Sequence, residues 1–168
     1  MDEIRTARAP HEVAFGELPE LTRALRALGS SRSSAGAMQS MYFRPLLEAR
    51  RRAADARTAR ARLRAFDATE LLAGLEKAVS KMVSEWPDPR ESAKRAIRAQ
   101  IAERTAELEQ AITELTMRAS AVETAEPEEQ LAAWRAWTAQ LRRTFECADR
   151  SWLAIQSVVA GLTAKRGA

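Results

Sequence analysis

One histidine, one cysteine, one tyrosine and no asparagine occur in this chain of 168 residues, and its six glycines are scattered. Each scarcity removes a class of chemistry. His11 has no second histidine or cysteine near it in sequence, so neither a zinc site nor a histidine-activated nucleophile is expected. Cys147, the single thiol, has no partner for an intramolecular disulfide and suits a reducing compartment. Dispersed glycines give no phosphate-cradling loop. The carboxylates are numerous but never form the Glu-x-x-His pair of a bundle di-iron site. No apolar run reaches 18 residues and the first thirty residues are regularly charged, so neither a membrane span nor a secretory signal is expected. The sequence therefore reads as a non-enzymatic cytoplasmic protein with no cofactor, no metal and no small-molecule substrate.

What the chain does hold is alanine and arginine. Alanine accounts for 35 residues, which makes the 46% hydrophobic content misleading, because alanine packs closely but buries little area. Arginine outnumbers lysine 23 to 4, partly the imprint of a GC-rich genome. A low share of large apolar residues favours an elongated bundle, or a subunit that shares core with a partner, over a compact globule.

Periodicity gives the fold class. Leu131, Trp134, Thr138, Leu141, Phe145, Ala148, Trp152, Ile155, Val159 and Leu162 recur in steps of three and four, the seam of a long packed helix from about 127 to 165. A second seam, Ile101, Thr105, Leu108, Ile112, Leu115, Ala119 and Val122 with Ile97 at its edge, marks a helix over about 88–123, with Asp88 as its expected cap. Nothing between Arg44 and Trp86 stops a helix: Pro45 fits its start and Gly74 is a tolerated weak point. Leu72, Leu75, Val79, Met82 and Trp86 form the seam of that helix's second half, whereas 48–62 holds nothing apolar larger than alanine. The breaks around Pro87 and Pro127 are short enough to force reversals of direction. The expectation is an all-α fold: an elongated, coiled-coil-like antiparallel three-helix bundle over 44–168, with helices at about 44–86, 88–123 and 127–165.

Ahead of it, residues 1–43 read as an N-terminal arm. Leu18, Leu21, Leu25 and Leu28 fall three, four and three apart, with Pro19 near the start and Gly29 after the end, which predicts a short amphipathic helix at about 19–28. The serine- and glycine-rich 29–36 follows as a flexible linker. A helix of ten residues is marginal alone and has to dock, on its own bundle or in a partner's groove.

These features point to a helical interaction or assembly protein, a small subunit or adaptor with a protein partner or a second copy of itself. The partner-binding residues expected are Leu18, Leu21, Leu25 and Leu28, together with Trp137, which flanks the last seam and either widens the core or faces outward. The alternative is sequence-independent binding of nucleic-acid backbone. Residues 44–64 hold eight arginines against two acids, and on one continuous helix Arg50, Arg57, Arg60 and Arg64 fall within about 80° of one another. No aromatic is interleaved with them, so base-specific readout is not expected.

Overall fold

The computed structural model describes residues 37–86 and 88–167, and the side chains of 44–86 and 88–158. Among the described residues all regular structure is helical: four long helices and one short one. They are α1 (Ala37–Asp55), α2 (Ala59–Arg64), α3 (Ala68–Ser84), α4 (Glu91–Thr124) and α5 (Gln130–Gly167). No helix among them is long and apolar enough to cross a membrane. The leucine row at 18–28 and its linker lie outside the described residues.

The expected first helix, 44–86, is a correction. It starts earlier, at Ala37, and is cut into α1, α2 and α3. Thr58 caps α2, its hydroxyl accepting from the Ala61 N–H, and Asp67 caps α3, its carboxylate accepting from the Glu70 N–H. Each cap satisfies a donor that a helix start leaves open. Alanine and arginine favour helix throughout this stretch, but tertiary packing decides where it stops. The bend places Phe66 in the core, edge-on to Trp137 at 6.1 Å and to Phe145 at 6.3 Å between ring centroids. A continuous helix would carry Phe66 past those rings.

Folding back makes α1 and α3 an antiparallel pair. Arg52 donates to Glu70 at 3.0 Å, while Pro45 lies against Gly74 further along, where a Cβ would come within 2.9 Å of the proline ring. Gly74 is thus a point of close approach, not a weak spot. The alanine-rich segment also has more to bury than its composition suggests. Pro45, Ala49 and Ala53 follow one another at i,i+4 along α1, both alanines are fully buried, and Leu46 beside them is too. Small side chains let the two backbones come close, so alanine supplies core here by proximity instead of by area.

From α3 onward the helices pair in sequence order. The α3–α4 pair is antiparallel: Ala68 N–H donates to Thr116 Oγ1 at 2.8 Å, and Arg98 reaches Ser80 at the other end. Thr116 Oγ1 in turn donates to the Phe66 carbonyl, so one hydroxyl holds both sides of the bend. The α4–α5 pair is the most extensively packed. Its antiparallel register is marked by hydrogen bonds from Gln130 to Val122 O, Gln140 to Ala111 O and Arg150 to Glu107. Gln130 also bonds Ala125 O, covering two carbonyls that the end of α4 leaves open. Asp88 is not the cap of α4. It turns back onto Arg90, accepting its backbone N–H and gripping its guanidinium, and the N-cap position is Arg90 itself.

The α4 seam is buried throughout, from Ile97 to Val122. In α5 the seam holds from Trp134 to Ile155, but Leu131 at its head is 42% exposed. In α3 the buried positions are Leu71, Leu75, Met82 and Val83, one residue off the expected start at Leu72. α5 further buries a second row, Trp137, Gln140, Thr144, Cys147 and Ser151, at the same three-four spacing. Those residues are polar or small except the tryptophan, and Gln140, Thr144 and Cys147 reach α4 directly.

Candidate interaction surface

Trp137 is fully buried. It stands between Phe66 and Trp134, edge-on to both, with the Trp134 ring 5.9 Å away. The outward-facing, partner-binding role expected for it is therefore withdrawn: α5 is covered by α4 on one side and by the α2–α3 bend on another, so its apolar face is wider than a single seam.

The arginine stripe is also corrected. Its alignment required one helix through 50–64, and α1 ends at Asp55. Arg50 is half-buried on α1, Arg57 is exposed in the break, and Arg60 and Arg64 are exposed on α2. Arg60 approaches Glu123 of α4 at 3.7 Å, so part of this charge is answered within the chain. Arg62 turns inward to the Ala56 carbonyl, and burial lowers its pKa from the ordinary arginine value.

A different basic surface emerges along α3. An open groove of about 450 Å³ runs between α1 and α3. Its floor is Pro45, Leu71, Gly74 and Ala78, and its edges carry Arg44 and Arg52 on α1 against Lys77 and Lys81 on α3. The two glutamates in its wall are engaged, Glu48 with Arg44 and Glu70 with Arg52, each at 3.0 Å. Lys77 and Lys81, both exposed and one helical turn apart, have no ion-pair partner among the described residues. On the other flank of α3 a smaller recess of about 350 Å³ holds Lys94, Arg95 and Arg98 beside Ser80 and Ser84, with Glu91 as its one acid. Three of the chain's four lysines thus border α3. Sequence reasoning passed over them by following arginine, the cation that genome composition inflates; the rare lysines were the more informative signal.

The remaining chemistry is sparse. Cys147 lies under an ion pair: Arg150 bonds Glu107 at 2.8 Å, and the Cys147 Sγ sits 3.2 Å from the Arg150 guanidinium and 3.6 Å from the Glu107 carboxylate. Burial, reinforced by the Glu107 charge, pushes the thiol pKa up against the pull of Arg150, which favours the unreactive thiol. No group of three or more histidine, cysteine or carboxylate side chains among the described residues could hold a metal ion. Comparison with protein-family models, with curated proteins and with solved structures finds no match to this chain.

Proposed function

We propose that this chain is a non-enzymatic helical interaction protein, a small subunit or adaptor of a larger cytoplasmic assembly, and that the α1–α3 groove is its main contact surface. The observation that carries this reading is the groove itself: an apolar floor beside two exposed lysines that the described fold leaves without an acid. Charge of that kind steers association with a complementary surface and fixes register. In this reading the leucine row Leu18, Leu21, Leu25 and Leu28 supplies a second anchor. A photo-crosslinking residue in place of Ala73, on the exposed side of α3, tests it in the native host. A discrete cross-linked complex that disappears in Lys77→Glu/Lys81→Glu, with an unchanged thermal midpoint, supports the reading. A strictly monomeric protein that cross-links to nothing at this position removes it.

Nucleic-acid backbone binding is the second reading, supported by exposed Arg57, Arg60 and Arg64 around the α2 bend. Its support is narrower, because Arg50 lies on a separate helix and Glu123 stands close to Arg60. Affinity for DNA or RNA that falls steeply with salt and drops when all four arginines become glutamine would favour it.

A further inference from the structure

We infer that the occupant of the α1–α3 groove is an acidic amphipathic helix of a partner protein, an inference that rests on the assembly reading above and names its partner class. Three features of the groove point to that chemistry. Its floor, Pro45, Leu71, Gly74 and Ala78, is apolar and takes aliphatic side chains. Glu48 and Glu70 are already bonded to arginines, so the unmet charge is concentrated at Lys77 and Lys81 on a single edge. Those two lysines are four residues apart on one helix, a spacing of about 6 Å that matches carboxylates at i and i+4 on a helix laid alongside. Cation and floor together specify a helix with one aliphatic face bordered by a row of Asp or Glu.

A nucleic acid fits the same surface less well. Its phosphates repeat along a strand, whereas the unmet cations are only the two at Lys77 and Lys81, and no aromatic side chain among the described residues lines the groove to stack a base. A second copy of this chain would present Glu103 and Glu107 at that spacing on α4, but Glu107 is already bonded to Arg150.

Display selection of a randomised helical-peptide library against the full chain tests the inference. The expected winners are amphipathic peptides with carboxylates at i,i+4 along one border. Their affinity should fall about tenfold in Lys77→Gln/Lys81→Gln, weaken with added salt, and persist in Lys77→Arg/Lys81→Arg. Winners without acidic bias, or acidic winners indifferent to the lysine pair, overturn it. So does an oligothymidylate that binds with the same dependence on Lys77 and Lys81 while acidic peptides do not, or self-association in sedimentation that is abolished by the lysine-to-glutamine variant. If the groove variant breaks the cellular complex but no acidic helix binds, the partner class is wrong and the assembly reading survives. If acidic helices bind through the lysines while that complex persists, the cellular reading is what fails.

Discussion

Gly74→Ala sets two opposed effects against each other at one atom. In an ordinary helix the change stabilises by about 1 kcal/mol, because glycine loses more backbone freedom on folding. Here the added Cβ would stand 2.9 Å from both Cβ and Cγ of Pro45. A proline ring cannot swing aside, and its neighbour Leu46 is fully buried, so relief requires α1 to move away from α3. Overpacking of that kind costs about 1 to 3 kcal/mol. The contact should outweigh propensity, leaving Gly74→Ala less stable by about 1 kcal/mol, or roughly 2 to 4 °C in midpoint for a domain of this size. Ala73→Gly at the adjacent exposed position supplies the yardstick, since it reverses the propensity term without touching α1. Urea unfolding of both variants measures the two quantities, and the Gly74→Ala cost should shrink in a Pro45→Ala background. Stabilisation of Gly74→Ala by the full amount read from Ala73→Gly would show that α1 does not lie against α3 at this point.

The other predictions follow from the core and its ties. Trp137→Ala should cost about 3 to 5 kcal/mol in chemical unfolding, while Trp137→Phe costs far less, since the indole N–H has no acceptor among the described residues; a cost under about 1 kcal/mol for the alanine would place this ring outside the core. Thr116→Val keeps the shape but strands the Ala68 N–H and the Phe66 carbonyl, so a loss of about 1 to 3 kcal/mol is expected; no change in midpoint would mean that the hydroxyl does not hold the bend. Cys147 should react with iodoacetamide at pH 8 at least about tenfold more slowly in the folded chain than in urea, given burial and a raised pKa. Equal rates would place the thiol in solvent.

What the residues alone determine is helix type and the two long apolar seams. Ile97 to Val122 and Trp134 to Ile155 recur at a period that no strand can use, and large side chains at that period have to face one another. The caps are not legible in this way: Asp67 and Glu70 stand at the same three-residue offset as Asp88 and Glu91, yet the sequence singles out Asp88, whereas Asp67 is the residue that caps a helix and Arg90 stands at the N-cap of α4. Nothing local separates those two pairs. The difference is tertiary, since bending at Asp67 buries Phe66 among the rings of α5. For the same reason the second buried row of α5 escapes a hydrophobicity pattern: Gln140, Thr144 and Ser151 are buried by the closeness of α4, and two of them by bonds to one carbonyl. The basic groove exists only because α1 folds back on α3, which sets Arg44 and Arg52 across from lysines some thirty residues away. Period and composition act along a single helix, whereas the choice of which faces meet is made by close packing between helices.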